Sequence, residues 1–167
     1  VNNSASYTGN HLTVLNKLSK LGVNNSRIIL PLSYGPSPHI TLIEKEIEKL
    51  FLKEDYFLLK EYLPINTYYD IVNTCQYAVM GHRRQEAGGN IGYLLRSGSK
   101  VFLREDNNLL RYYKDLGCFV YSFEKDLISS DALFPLNIDQ KKVNRDIIEG
   151  MVSSQKIEDM MTNLLKD

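Results

Sequence analysis

The chain has 167 residues, which is enough for one domain with a substantial hydrophobic core. Its 20 basic and 20 acidic side chains give a formal net charge of zero, which argues against a nucleic-acid partner held by bulk electrostatics. No apolar run approaches the roughly 20 residues of a membrane-spanning helix, and the two cysteines stand far apart beside apolar runs, which favours free thiols in a reducing compartment.

Short apolar runs alternate with amphipathic stretches along the whole sequence. Strands are expected at 27–32, 56–59, 77–80, 100–103 and 118–122, helices at 11–21, 40–51, 64–74, 90–96, 109–116 and 138–167, and a helical or irregular stretch at 124–134. The last helix is either continuous or divided around Gly150, and residues 1–3 look like the end of a strand in a fragment of a longer protein. The alternation predicts an α/β fold with a doubly wound parallel sheet, Rossmann-like, as a single domain over 1–167 with 138–167 as a helical tail.

A polar loop at 81–89 separates the third predicted strand from the helix after it. Glycines let the backbone approach an anion, a helix N-terminus offers free N–H groups, and arginines pair with phosphate oxygens. In an open α/β sheet, ligands bind outside the carboxyl ends of the strands, where this loop would lie. The loop therefore predicts half of a nucleotide-sugar pocket, although a solvated loop closed by an ordinary glycine turn has the same composition. The residues concerned are His82, Arg83, Arg84, Gln85, Glu86, Gly88, Gly89 and Asn90.

A second candidate phosphate site precedes the first helix, again in the order strand end, polar loop, helix N-terminus. The alternative is that these side chains only cap the helix. The site would combine hydroxyl and amide side chains with backbone N–H groups at Asn3, Ser4, Ser6, Thr8, Asn10 and His11.

Polar residues also follow two other predicted strands. Tyr34 could face a ligand or be an ordinary loop tyrosine. Asp106 with Asn107 could bind a ribose hydroxyl or could cap the next helix. Glu86 is the carboxylate expected to accept a sugar hydroxyl, and its alternative is a plain surface position.

Several kinds of chemistry have no motif in this sequence. There is no zinc-type Cys/His spacing, no G-x-G-x-x-G, no P-loop and no G-x-S-x-G elbow. The three histidines, His11, His39 and His82, are scattered along the chain. His11 and His82 become significant only if their two loops converge.

The order and spacing of these motifs resemble the 4-acetamido-4,6-dideoxygalactose (Fuc4NAc) transferases, a family also described as 4-alpha-L-fucosyltransferases. The resemblance spans residues 1–125 and rests on NNSASYTGNHLTVLNKL, RIILPLSYG, CQYAVMGHRRQEAGGNIGYLLRSGSKVFLREDN and the helix and strand that follow. Asn2 stands where the family often has glycine. The positions that match the family pattern are Asn3, Ser4, Asn10, His11, Pro31, Tyr34, Arg84, Gln85, Gly88 or Gly89, Arg104, Asp106 and Asn107.

The resemblance implies a GT-B glycosyltransferase, in which two Rossmann-like domains face each other across a cleft. This chain would be the C-terminal half, which binds the nucleotide-sugar, with the loops at 3–11 and 84–90 around the diphosphate and with Tyr34 and 104–107 near the base, ribose or sugar. Arg84 would neutralise the departing diphosphate, and Gln85 and Glu86 would position the sugar. No metal or other cofactor is expected, since helix N-termini and basic side chains stabilise the diphosphate in such enzymes.

The donor implied by the resemblance is a dTDP- or UDP-linked deoxyamino sugar. The implied acceptor is a lipid-linked saccharide in bacterial cell-surface polysaccharide synthesis, bound through a further N-terminal domain. The protein would then be cytoplasmic or peripheral on the inner face of the cell membrane, and this chain alone would be inactive. Two alternatives stay open: a sugar-nucleotide epimerase-like GT-B domain and a non-catalytic binding module.

Overall fold

The computed structural model describes residues 1–23 and 26–151, in which strands and helices alternate as expected. Within this part of the chain, no helix is both long and apolar enough to cross a membrane. The strands are β1 (Ile28–Pro31), β2 (Tyr56–Leu59), β3 (Tyr77–Met80), β4 (Lys100–Leu103) and β5 (Val120–Ser122); the helices are α1 (His11–Lys20), α2 (Ser37–Leu50), α3 (Ile65–Asn73), α4 (Gly88–Ser97), α5 (Asn108–Asp115) and α6 (Ile138–Met151).

The strands are parallel and form two groups: β1 pairs with β2, and β4 pairs with both β3 and β5. Val1 and Asn2 lie between the groups. The Val1 ammonium donates to the Ile29 carbonyl at 2.7 Å, and the Asn2 N–H donates to the Val79 carbonyl at 3.0 Å. The spatial order is therefore β2, β1, Val1–Asn2, β3, β4, β5, and the winding direction reverses at Val1 and Asn2. Doubly wound folds bind ligands outside the carboxyl ends of the strands at such a switch point.

Both faces of the sheet are covered, because successive side chains of a strand point to opposite faces. Val79 and Phe102 join the hydrophobic core that packs against α1 and α2. Ala78 and Leu103, their neighbours in sequence, join the core that packs against α4, α5 and α6. This two-sided burial confirms the predicted α/β, Rossmann-like fold class.

Several predicted boundaries were wrong, and two of them have a local reason. α4 begins at Gly88, two residues early, because Ala87 takes a left-handed conformation (φ 60°) as its N-cap and accepts the Ile91 N–H at 2.8 Å. α2 begins at Ser37 rather than at residue 40. β5 is short because the Phe119 N–H bonds to the Asn144 side chain at 2.7 Å instead of to a strand.

In the segment after β5, the structure selects among the alternatives that the sequence left open. Residues 124–134 hold one short 3-10 turn, Ser130–Leu133, rather than a regular helix. α6 includes Gly150 and is described as far as Met151. The rest of the predicted tail, 152–167, lies outside the described residues.

Candidate functional site

Four segments meet at the carboxyl edge of the sheet, beyond the switch point. We call them the first loop (3–10), the second loop (81–87), the third loop (104–107) and the Tyr34 turn (33–36). The Ala5 N–H donates to the Tyr34 carbonyl at 2.7 Å, which ties the first loop to the Tyr34 turn. Thr8 and Glu86 join the first loop to the second at 2.6 Å. The predicted site segments therefore form one cluster.

Asn2 directs the chain from the sheet into the first loop. Its φ of 54° is left-handed, a conformation that glycine adopts freely and that asparagine tolerates better than most residues. Its buried side chain also accepts the Gly81 N–H at 2.7 Å and donates to the Gly9 carbonyl at 2.8 Å. Asn2 thus fastens the first loop to the second.

The first and second loops approach each other through backbone at Gly81. A Cβ atom there would lie 2.1 Å from the Gly9 carbonyl oxygen, far inside contact distance. The Asn10 amide donates to the carbonyls of Thr8 (2.9 Å) and Gly81 (2.7 Å), which uses both of its hydrogens. Asn10, predicted to bind substrate, therefore works as a clamp between the two loops.

Glu86 is held from both sides. The Thr8 hydroxyl, itself 2.6 Å from the Ser6 hydroxyl, donates to Glu86 Oε1 at 2.6 Å. His82 Nε2 lies 3.5 Å from Glu86 Oε2. The Glu86 side chain stays partly exposed, whereas His82 is fully buried. The carboxylate is thus oriented by two loops and still accessible to a ligand.

Three histidines converge behind this carboxylate. The rings of His11 and His39 lie 5.7 Å apart between centroids, and His82 lies near enough to His11 to affect its charge. Burial, reinforced by the nearby Val1 ammonium, lowers the pKa of His11 to about 3. Burial also lowers the pKa values of His39 and His82. The cluster is therefore neutral at pH 7, and the fully buried His11 is a core residue rather than a direct ligand contact.

The N-terminus of α4 forms the open part of the site. A Cβ atom on Gly88 or Gly89 would meet no atom within 4 Å, so the backbone here is open to a ligand. Arg84 and Gln85 are exposed just before it, and Asn90 lies half-buried in its first turn. Within the described chain, no hydrogen bond or ion pair engages the Arg84 guanidinium. A free cation beside unpaired helix N–H groups is suited to binding an anion.

The third loop supports the second. Asn107 is 1% exposed, and its amide donates to the carbonyls of His82 (2.9 Å) and Arg84 (3.1 Å) while its oxygen accepts the Leu109 N–H at 2.9 Å. Asn107 therefore caps α5 and fixes the second loop, a role different from the substrate contact predicted for it.

Asp106 remains at the surface of the site. Arg104 donates to both of its oxygens, at 2.9 and 3.2 Å, and Arg83 approaches it at 3.7 Å. The Arg104 hydrogen bonds lower the pKa of the Asp106 carboxyl. Asp106 can still accept from a ligand hydroxyl because its side chain is 48% exposed.

The remaining predicted site residues differ in how far their side chains are exposed to solvent. Tyr34 is 70% exposed beside the first loop, free to contact a ligand. Ser6 is half-buried and caps the short 3-10 turn Tyr7–Gly9. Ser4 is buried, and Asn3 is half-buried with a side-chain oxygen that has no partner in the described part of the protein.

Sequence reasoning gave no role in the site to two residues that build it, Asn2 and His39. An asparagine where a strand passes into a loop is a signal for a left-handed turn, and could have identified Asn2. His39 lies on α2, and no local pattern connects it with the loops. Among residues 1–23 and 26–151, no group of three or more His, Cys, Asp and Glu side chains is arranged to hold a metal ion.

Two solved structures are similar to this fold. HepE of Anabaena, crystallised with UDP and glucose, superposes with a TM-score of 0.68 at 14% identity, over 99% of this chain and 48% of its own. The N-terminal domain of Candida albicans trehalose-6-phosphate phosphatase superposes with a TM-score of 0.66 at 12% identity, over 90% of this chain and 37% of its own. At such identities the likeness establishes the fold, and this chain spans about half the length of HepE.

The sequence match is more specific than the structural one. A family model described as 4-alpha-L-fucosyltransferase, glycosyl transferase group 56, matches residues 1–155 and so includes every loop of the site. The chain belongs to the 4-alpha-L-fucosyltransferase family, glycosyl transferase group 56.

Proposed function

We propose that this chain is the nucleotide-sugar-binding domain of a GT-B glycosyltransferase. The observation that carries the proposal is the convergence of the first, second and third loops on the N-terminus of α4 at the switch point of the sheet. Family membership and the fold shared with HepE, a protein crystallised with UDP and glucose, support it.

The diphosphate of the donor lies at the start of α4. The bare backbone at Gly88 and Gly89 lets phosphate oxygens reach the unpaired N–H groups, and the helix dipole adds to the attraction. Arg84 supplies two parallel donors and neutralises the charge that develops as the diphosphate leaves. Gln85 and Asn90 flank this position.

Glu86 accepts a hydroxyl of the donor sugar. Its orientation by Thr8 and the neighbouring His82 supports this role, since a carboxylate held in place loses little entropy on binding. Tyr34 and Asp106, both exposed, contact the base or the ribose. Asn2, Asn10 and Asn107 hold the loops and make no direct contact.

The donor we propose is a dTDP-linked deoxyamino sugar of the Fuc4NAc kind, and the acceptor a lipid-linked saccharide in cell-surface polysaccharide synthesis. The acceptor is reached through a second domain at the cytoplasmic face of the membrane. Transfer needs no metal, because α4 and Arg84 take over charge stabilisation. This chain alone binds the donor but does not transfer the sugar.

Calorimetric titration with dTDP and UDP tests the proposal. Since a hydrogen bond to a charged group contributes about 1.5–3 kcal/mol, Arg84→Ala should weaken binding roughly 10- to 100-fold. Arg111→Ala is the matched control: this arginine is 89% exposed on α5, outside the four segments of the site. Equal affinities of Arg84→Ala and the parent protein, or binding of neither nucleotide, would refute the proposal.

A further inference from the structure

Tyr7 is an aromatic residue of the first loop to which the proposed function gives no role. It is 62% exposed, although the loop around it is packed against two other segments of the site. Tyrosine combines a large apolar ring with a polar tip, and it contributes to recognition when its ring is held in one orientation. The contacts of Tyr7 show that its ring is held in this way.

The buried histidines support the Tyr7 ring from one side. The Tyr7 and His39 rings lie 4.6 Å apart between centroids, with their planes tilted by 39°, which is within the range of favourable aromatic pairs. His39 is buried in the first turn of α2, and its ring packs edge-on against the ring of His11. The Tyr7 ring therefore has a fixed support on one side, while most of its surface is open to solvent.

The turn that carries Tyr7 is fixed as well. The Ser6 hydroxyl accepts the Thr8 N–H at 3.4 Å and lies 2.6 Å from the Thr8 hydroxyl, so these two side chains close the turn around Tyr7. The Thr8 hydroxyl then donates to Glu86 at 2.6 Å. Tyr7 is thus one residue away from the contact that orients the Glu86 carboxylate, and the ring and the carboxylate keep a constant relation to each other.

An exposed aromatic ring beside an oriented carboxylate suits a sugar ring. A pyranose carries hydroxyl groups around its edge and C–H groups on its faces. The carboxylate accepts a hydroxyl, and the weakly positive C–H groups lie on the aromatic face, which is electrically negative. The same negative face repels phosphate oxygens, so the ring is unsuited to the diphosphate.

We propose that Tyr7 is a binding residue for the donor sugar, and that its ring stacks on the C–H face of the sugar while Glu86 accepts a hydroxyl of the same sugar. This inference rests on the proposed function, because Glu86 defines where the sugar lies. A nucleobase can also stack on a tyrosine. The position of Tyr7 next to the contact between Thr8 and Glu86 favours the sugar.

Calorimetric titration with dTDP and with dTDP-linked Fuc4NAc separates the sugar from the nucleotide. The parent protein should bind the nucleotide-sugar more tightly than dTDP. Tyr7→Ala should weaken binding of the nucleotide-sugar roughly 5- to 20-fold and leave the affinity for dTDP within about twofold. Tyr7→Phe keeps the ring and should bind both ligands as the parent does. Phe119→Ala is the matched control and should change neither affinity, because this 37% exposed aromatic residue precedes β5 at the opposite edge of the sheet.

A second measurement uses fluorescence, since the sequence contains no tryptophan. Tyr7→Trp introduces a single tryptophan, whose emission should move to shorter wavelength when a sugar covers its ring. dTDP-linked Fuc4NAc should cause this shift and dTDP alone should not. Phe119→Trp should respond to neither ligand.

The outcomes separate this inference from the proposed function. If dTDP binds but the sugar adds no affinity in the parent, or if Tyr7→Ala keeps the full affinity for the nucleotide-sugar, this inference is overturned and the proposed function stands. Equal losses for both ligands in Tyr7→Ala, or a shift of Tyr7→Trp with dTDP alone, would also overturn it, because the ring would then contact the base or only support the loop. Binding of neither ligand overturns this inference, and the titration with UDP then decides the proposed function.

Discussion

Acidification should destabilise this domain through its buried histidines, and His11 above all. The pKa of His11 is about 3 in the folded chain and near the ordinary 6.5 when the chain unfolds. Between these values the unfolded chain binds a proton that the folded chain does not. Stability is therefore fully present above pH 6.5 and falls as the pH drops through this window.

The magnitude follows from the pKa difference. Each pH unit below 6.5 costs about 1.4 kcal/mol per such group, so His11 alone removes roughly 3 kcal/mol between pH 6.5 and 4.5. His39 and His82 add losses of the same sign, because burial lowers their pKa values too. The Val1 ammonium, whose pKa is lowered from 8.0 to about 6, acts mainly at higher pH.

Urea unfolding at pH 7.0, 6.0, 5.0 and 4.5 measures this directly on the parent protein and on His11→Gln. The variant loses some stability at pH 7 because packing changes, so the comparison is between the slopes of unfolding free energy against pH. Below pH 6.5, the slope for His11→Gln should be shallower by about 1.4 kcal/mol per pH unit, which corresponds to one proton. Slopes that agree for the two proteins would mean that His11 is not held neutral by burial, which would refute the reasoning.

Two further substitutions test how the loops are held. Gly81→Ala places a methyl group 2.1 Å from the Gly9 carbonyl oxygen, so we expect a loss of at least about 3 kcal/mol in urea unfolding; Gly88→Ala, which meets no atom, should leave stability within about 0.5 kcal/mol. Equal effects of the two would contradict the close approach of the loops. Asn107→Ala removes the cap of α5 and leaves two loop carbonyls unpaired, and should cost roughly 2–3 kcal/mol and weaken nucleotide binding in calorimetry. An unchanged unfolding midpoint would show that water replaces its bonds.

The location of the candidate site was predictable from local patterns. Polar loops after β3 and before α1 contain glycine and asparagine next to a helix start, and the carboxyl edge of a parallel sheet brings such loops together. Which side chains are free to contact a ligand and which hold the loops together was not predictable. Asn10, His11 and Asn107 carry polar groups that fit a ligand as well as they fit a backbone carbonyl, and only the contacts decide between these partners.

The sequence by itself determined the fold class, the strand positions to within about two residues and the segments that meet at the sheet edge. Those features follow from hydrophobic periodicity and turn chemistry, which are local properties. Tertiary structure alone decided that Arg84 and Glu86 stay accessible while His11 is buried. The physical reason is that burial and pairing depend on residues distant in sequence, such as Asn2 against Gly81 or Thr8 against Glu86, whose proximity no local pattern encodes.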